Sequence, residues 1–168
     1  MTGLESGRRV AIAADHNGVA LKAELVEWLV TRGHQVDDRG TDGDEVVDYP
    51  LLCVDVGRLV QAGDADFGVV VGGSGQGEQI ACNKLRGIRA ATCHSLLATE
   101  IARGHNDANV LVLGTKLVTP AMAREILSVW LSTPFEGGRH RTRLDQIAAI
   151  ERGEELQTMA PTRAGIRR

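Results

Sequence analysis

Aromatic residues are scarce in this chain. Only 3% of its 168 residues are Phe, Trp or Tyr, although 43% are hydrophobic. The core must therefore consist of aliphatic side chains, and a chain of this length can build a sizeable one. A platform of aromatic rings that stacks single-stranded nucleic acid is not expected.

An excess of basic charge is also missing. The chain has 19 Lys and Arg against 22 Asp and Glu, which gives a formal net charge of −3. This balance argues against a general binder of nucleic acid or of acidic membranes, so we predict neither partner. It remains compatible with a small anion held by a local basic cluster.

Paired cysteines, long apolar segments and metal-binding patterns are absent as well. The cysteines are odd in number and form no C-x-x-C pair, which is typical of free thiols in a reducing cytosol. The first residues, MTGLESGRR, contain no apolar signal segment, and no stretch approaches the length that spans a bilayer. Five histidines show no metal-ligand spacing. We therefore expect a cytoplasmic protein with no metal and no other cofactor.

What the chain does have is a regular alternation of short β-branched runs and longer amphipathic stretches. This alternation predicts an α/β fold with a Rossmann-like (flavodoxin-like) doubly wound sheet of five parallel strands, order 2-1-3-4-5, in three αβα layers. We expect a single domain over residues 1–153 and a disordered tail over 154–168. The predicted strands are Val10–Ala14, His34–Asp37, Phe67–Val71, Ile88–Cys93 and Val110–Gly114. The predicted helices are Val19–Arg32, Pro50–Gly63, Gln76–Lys84, Ser95–Arg103, Thr119–Leu131 and Leu144–Arg152.

Two polar loops follow the strands between which such a sheet reverses its order, the first and the third. Ligands of doubly wound sheets bind at the carboxyl ends of the strands at that point. The loops are DHNG, from Asp15 to Gly18, and GGSGQGE, from Gly72 to Glu78. The predicted fold therefore brings the two chemically richest loops together.

The glycine loop has two interpretations. It is neither a P-loop, since no Gly-Lys-Ser/Thr follows, nor a dinucleotide fingerprint, since its glycines are wrongly spaced. It could be a flexible turn in which Glu78 complements the dipole of the next helix. Alternatively, its backbone amides stabilise an oxyanion while Glu78 moves a proton beside it. A carboxylate would repel a phosphate here, so the second interpretation favours proton abstraction next to a carbonyl.

Three further groups have a functional and a structural interpretation each. Asp15 and His16 could bind sugar hydroxyls or shuttle protons, or Asp15 could cap the next helix. The loop with His105 and Asn106 could be an ordinary polar turn. Arginines 139 and 143, four residues apart, could be a solvated face or could hold a phosphate between two guanidinium groups.

The motifs in chain order point to one family. ADHNG, DYP, GGSGQGEQIACNK, GIRA, HNDANVLVLG and GGRHRTR follow each other between about Arg9 and Arg152. In this order they resemble the type B ribose-5-phosphate isomerases and their galactose-6-phosphate isomerase relatives. The resemblance implies a Rossmann-like, metal-free aldose–ketose isomerase that forms homodimers with active sites between subunits. Whether dimers pair into tetramers is left open.

The resemblance also implies roles for individual residues. In one branch of the family a cysteine just before the glycine loop is the base, and Gly72 stands there in this chain. In the other branch a glutamate at the helix start is the base, and Glu78 occupies that place. His105, helped by Asp15, would open the furanose ring, and Ser74 would assist proton movement between the oxygens. The implied substrate-binding residues are His16, Gly73, Gly75, Gln76, Gly77, Asn106, Lys116, Arg139 and Arg143.

The expected reaction is the interconversion of D-ribose 5-phosphate and D-ribulose 5-phosphate through a cis-enediolate. Lys116 stands where relatives often have a third phosphate-binding arginine, and Asn17 stands where smaller residues are common. Both departures concern the substrate more than the reaction. Two alternatives therefore stay open: an isomerase of another sugar (tetrulose phosphate, hexose phosphate or free aldose), or a non-catalytic sugar-phosphate-binding module.

Overall fold

The computed structural model of the protein describes residues 7–43 and 45–156. It divides into two compact units, one that ends at Gly137 and one that begins at Gly138. The single domain over residues 1–153 stays a prediction. Most of the predicted tail, residues 157–168, lies outside the described residues.

The described part of the first unit contains five strands and five helices in regular alternation. Its elements are β1 (Arg9–Ala14), α1 (Val19–Thr31), β2 (Gln35–Gly40), α2 (Tyr49–Ala62), β3 (Phe67–Gly72), α3 (Gln76–Cys82), β4 (Ala90–Thr92), α4 (Leu96–Gly104), β5 (Val110–Gly114) and α5 (Pro120–Ser132). The described part of the second unit contains α6 (Arg139–Glu151). Helix α6 begins five residues before the predicted start at Leu144, because its first turn consists of long polar side chains that show no apolar periodicity.

The sheet is parallel throughout, and its strand order is β2-β1-β3-β5-β4. The predicted order 2-1-3-4-5 is therefore wrong at one edge, although the fold class is confirmed. Strand β5 is buried along its whole length and suits the interior of the sheet. Strand β4 has three residues, two of them partly exposed, and a short strand of this kind suits an edge. The reversal of order between β1 and β3 lies where it was predicted.

Two apolar clusters, one on each face of the sheet, establish the three layers. The larger packs α1, α4 and α5 on one face and includes Leu25, Ile126 and Trp130. The smaller packs α2 and α3 on the other face and includes Val56 and Cys82. All three cysteines are unpaired, as predicted, and the structure shows that all three are buried. Within the described residues, no helix has the length and apolar character needed to cross a membrane.

Candidate active site

The loop after β1 holds a buried carboxylate. Asp15 is 5% exposed, and its Oδ1 and Oδ2 accept hydrogen bonds from the backbone N–H and the Nδ2 of Asn17, at 2.8 and 3.1 Å. Helix α1 begins at Val19, its N-cap is Gly18 and no side chain caps it, so the interpretation of Asp15 as a helix cap is wrong. Gly18 is required where it stands, because a Cβ there would lie 2.6 Å from the carbonyl oxygen of Val71.

A second buried carboxylate, that of Glu78, lies in the first turn of α3. Glu78 is only 4% exposed. A Cβ built on Gly72 would overlap Oε1 and Cδ of Glu78 and lie 3.1 Å from its Oε2. The carboxyl group therefore fills the space that a side chain at position 72 would need. A carboxylate that served only the helix dipole would not have to be buried, so this geometry favours a chemical role.

Burial raises the pKa of Glu78, and the negative charge of Asp15 raises it further. A hydrogen bond from the residue's own backbone N–H opposes these effects by stabilising the ionised form. The net effect is a pKa above that of an ordinary glutamate. A carboxylate with a raised pKa is a stronger base once it has lost its proton.

The glycine loop between β3 and α3 exposes donors rather than side chains. Gly75 adopts the left-handed conformation, φ 79°, just before α3 begins. Within the described residues, the backbone amides of Gly73, Ser74, Gly75 and Gly77 donate to no protein acceptor. The Gln76 amide has only a weak bond, 3.4 Å, to Oγ of Ser74. A row of amides of this kind beside a buried carboxyl can hold a developing oxyanion.

The loop after β5 lies beside the glycine loop. The Lys116 amide donates to the carbonyl oxygen of Gly73 at 2.9 Å. A Cβ on Gly73 would lie 3.6 Å from Asn17 Nδ2 and 3.7 Å from Lys116 Cε. His16 lies beside Asn17, with 3.2 Å between its Nε2 and Asn17 Nδ2. Within the described residues, the buried Nδ1 of His16 has no hydrogen-bond partner. The structure thus brings together the predicted site residues of three loops.

One residue beside the loop was missed by the sequence analysis. Tyr49, the first residue of α2, packs its phenol ring against Gly77, where a Cβ would lie 2.5 Å from Tyr49 Cζ. It is the only tyrosine of the chain and belongs to the DYP motif. Those two facts were the signal that could have marked it.

His105 and Asn106 lie at the opposite end of the sheet, where the amino ends of the strands are. They are in the turn that joins α4 to β5, before the amino end of β5, whereas Glu78 follows the carboxyl end of β3. Strands β3 and β5 are parallel and have six and five residues, so about 17–20 Å separates the amino ends of the strands from their carboxyl ends. His105 Nε2 lies 3.7 Å from Oε2 of Glu136. One chain by itself does not bring His105 to Glu78.

Arg139 and Arg143 lie on α6 in the second unit. Both are exposed and helical, so their spacing of four residues places them on one face. The predicted helix began only at Leu144, so the helical conformation of Arg139 and Arg143 is a finding of the structure.

The fold is that of an α/β protein, and the loops after β1 and β3 form its candidate active site. The chain belongs to the family described as Ribose/Galactose Isomerase, whose sequence profile matches residues 10–147. This confirms the family resemblance drawn from the motifs.

Individual relatives match over almost their whole length. Ribose-5-phosphate isomerase B of Escherichia coli K12 is 42% identical over 144 residues, which cover 86% of this chain and 97% of that protein. The structure of ribose-5-phosphate isomerase B from Clostridium thermocellum has a TM-score of 0.85 and 43% identity, and covers 86% of this chain and 98% of its own. The structure of the type B ribose 5-phosphate isomerase from Trypanosoma cruzi has a TM-score of 0.84 and 38% identity, and covers 88% and 98%.

Proposed function

We propose that this protein interconverts D-ribose 5-phosphate and D-ribulose 5-phosphate, with Glu78 as the base. Relatives about 40% identical over most of both chains are ribose-5-phosphate isomerases B, which supports an aldose–ketose isomerisation. The observation that supports the choice of base is the buried Glu78 carboxyl group in the space beside Gly72.

The proton transfer follows from this position. Glu78 takes the proton from C2 of the open-chain aldose, and the electron pair forms the C1–C2 double bond of a cis-enediolate. The protonated Glu78 then returns the proton to C1, and the hydroxyl proton moves between O1 and O2 with the help of Ser74. General-base catalysis of this kind typically contributes ~10²–10⁴-fold in rate.

The glycine loop stabilises the intermediate. Negative charge develops on the enediolate oxygen, and the amides of Gly73 to Gly77, in the loop that leads into the helix of Glu78, donate hydrogen bonds to it. One oriented donor of this type is worth about 3–4 kcal/mol of activation free energy. Asp15, held by Asn17, orients a sugar hydroxyl next to the base. The scheme assigns every charge to residues of the chain and is therefore metal-independent.

Arg139 and Arg143 of the second unit are the residues that we propose bind the phosphate, and His16 and Lys116 are the proposed substrate-binding residues of the loops after β1 and β5. Two guanidinium groups on one helix face suit a phosphate between them, because each planar group can donate two hydrogen bonds. Lys116 adds a positive point charge beside Gly73, without the fork of an arginine.

A second copy of the chain completes the site in this proposal. His105 opens the furanose ring and Asn106 orients a hydroxyl, yet both lie at the edge of the sheet opposite to Glu78. We therefore propose a homodimer in which the turn of one protomer enters the site of its partner. We place this dimer in the cytoplasm, where its buried thiols stay reduced.

Mixing two inactive variants tests the dimer. In a mixed dimer of Glu78→Gln and His105→Ala, one site carries both substitutions and the other carries neither. Unfolding and refolding the two variants together should therefore restore activity that each lacks alone. Restored activity supports the shared site, whereas an inactive mixture that contains mixed dimers contradicts it.

The reaction is tested in deuterated water with ribose 5-phosphate as substrate. NMR follows the formation of ribulose 5-phosphate and the uptake of deuterium at the exchanging carbon. We expect rapid turnover by the wild type, loss of turnover in Glu78→Gln, and no loss in the control Glu125→Gln, whose side chain is exposed on α5. Unimpaired turnover by Glu78→Gln would refute its assignment as the base.

Another sugar is the second candidate, because Asn17 and Lys116 both approach Gly73 at the site. Turnover on four-, five- and six-carbon sugar phosphates and on free ribose separates these substrates. A binding module without activity would bind the sugar phosphate and leave its C2 proton unexchanged.

A further inference from the structure

The turn that joins α4 to β5 is tied to the elements around it. The Asp107 amide donates to the carbonyl oxygen of Arg103 at 3.2 Å, and the Asn109 amide donates to that of Arg89 at 3.0 Å. The Ala108 amide donates to the carbonyl oxygen of Ala102, also at 3.0 Å. The turn carries His105 and Asn106 and is therefore fixed to both the preceding helix and the start of β4.

Asp107 has an uncommon backbone conformation. Its φ is +43°, and it is the only non-glycine residue with positive φ in the part of the chain that the structure describes. Glycine adopts this region most easily, and asparagine and aspartate also tolerate it. The role of the Asp107 carboxylate therefore has to be judged from its contacts.

The Asp107 carboxylate lies between two arginines. Oδ1 accepts a hydrogen bond from Arg103 Nη1 at 3.0 Å, and Oδ2 accepts one from Arg89 Nη2 at 3.1 Å. Arg89 Nε also donates to the carbonyl oxygens of Asn106 and Asp107, at 3.1 and 2.9 Å. Arg103 Nη1 also donates to the carbonyl oxygen of Ala108 at 2.6 Å. The two guanidinium groups thus hold three successive peptide groups of the turn.

Arg103 is itself held in place. It is 7% exposed, and its guanidinium carbon lies 4.7 Å from the ring centre of Phe67 and 5.6 Å from that of Trp130. Burial lowers the pKa of Arg103, the carboxylate of Asp107 opposes this, and the charge of Arg89 adds to the lowering. Without Asp107, two cations would face each other with no anion between them.

We infer that Asp107 is a positioning residue for catalysis, which fixes His105 and Asn106 through its bridge between Arg89 and Arg103. The inference rests on the proposed function, because it requires that His105 and Asn106 contact the substrate as proposed above. Asp107 itself contacts no substrate. Its effect on the rate must therefore pass through the two residues that precede it.

A double-mutant cycle distinguishes this role from a general contribution to the fold. Asp107→Asn keeps a residue that tolerates positive φ and removes the charge that binds the arginines. A misplacement of the reacting groups is costly, so we expect kcat for ribose 5-phosphate to fall about 10- to 100-fold. In a background that carries both His105→Ala and Asn106→Ala, the same change should lower kcat less than about twofold, since both groups that Asp107 positions are already absent. Deuterium uptake accumulates over hours and makes slow turnover in that background measurable.

Asp66→Asn is the matched control. Asp66 also pairs with an arginine, Arg9 at 2.6 Å, and its side chain is 31% exposed, against 30% for Asp107. Its carboxylate accepts hydrogen bonds from the backbone N–H and the Nη2 of Arg9 rather than from Arg89 or Arg103, so its loss should leave kcat unchanged. Arg89→Gln serves as a second variant if Asp107→Asn does not fold, and should show the same dependence on His105 and Asn106.

Each outcome has one meaning. A wild type without C2 exchange would overturn the proposed function, and the inference with it. An active wild type in which Asp107→Asn, or Arg89→Gln in its place, lowers kcat equally in both backgrounds would overturn the inference alone. If either substitution left kcat unchanged in the otherwise wild-type protein, that result would also overturn the inference alone.

Discussion

Adding one methyl group at Gly72 should displace the base without changing its chemistry. The Cβ of Gly72→Ala would overlap Oε1 and Cδ of Glu78, whereas ordinary contact begins at 3.4 Å. Gly72 does not have a positive φ, so alanine is not strained there. The carboxyl group must therefore move by about 1 Å or more.

A shift of that size has a calculable effect. A misplacement of about 1 Å costs on the order of 100-fold in rate. This corresponds to about 2.7 kcal/mol of activation free energy. We therefore expect kcat of Gly72→Ala to fall about 100-fold in the deuterium-uptake assay. In combination with Glu78→Gln, the alanine should cause no further loss.

The control is Gly43→Ala, where an added Cβ meets no atom within 4 Å, and its kcat should equal that of the wild type. A folded Gly72→Ala protein with kcat within about threefold of the wild type would refute the reasoning, because catalysis would then not depend on where the Glu78 carboxyl group lies.

Three other predictions concern charge. Asp15→Asn should move the acidic limb of the kcat–pH profile to lower pH, because the Asp15 charge raises the pKa of Glu78; an unmoved limb would argue against that coupling. Glu78→Gln should raise Tm relative to the wild type by more at pH 8 than at pH 4. The reason is that a carboxyl group with a raised pKa in the folded state makes the wild type less stable as pH rises through that pKa. Each kcal/mol gained should appear as about 2–4 °C in thermal unfolding, and an equal Tm difference at both pH values would contradict this. Arg143→Ala should raise KM for ribose 5-phosphate about 10- to 100-fold by removing a charged hydrogen-bond donor. Its effect on free ribose should be absent, so equal losses on both sugars would argue against phosphate binding.

The alternation of strands and helices could be read from the sequence because each element has its own pattern. Strands such as Val110–Gly114 are continuous apolar runs, and α5 begins with Thr119 as N-cap, which accepts a hydrogen bond from the Met122 amide at 3.2 Å. Strand order was harder to read. Nothing local in Ala90–Thr92 says that it lies outside β5, since pairing depends on which strand can bury both faces.

The candidate site was predicted in part for the same reason. The loops with Asp15 and Glu78 follow strands that the pattern identifies, so their place at the carboxyl edge was predictable. The burial of Glu78 against Gly72 was not, because it depends on how the first turn of α3 packs back onto the end of β3. The distance of His105 from Glu78 was readable in principle, since His105 precedes its strand and Glu78 follows one.

The shared space of Gly72 and Glu78 also bears on how such a protein could evolve. The resemblance drawn from the motifs includes a branch in which a cysteine at position 72 is the base. In this chain that cysteine would collide with the glutamate, so the two bases exclude each other sterically. A lineage that exchanged one for the other would need both substitutions, and whichever came first would leave an impaired enzyme. Under the proposed function, single substitutions at position 72 or 78 would therefore be selected against, and the base could change only if both positions changed.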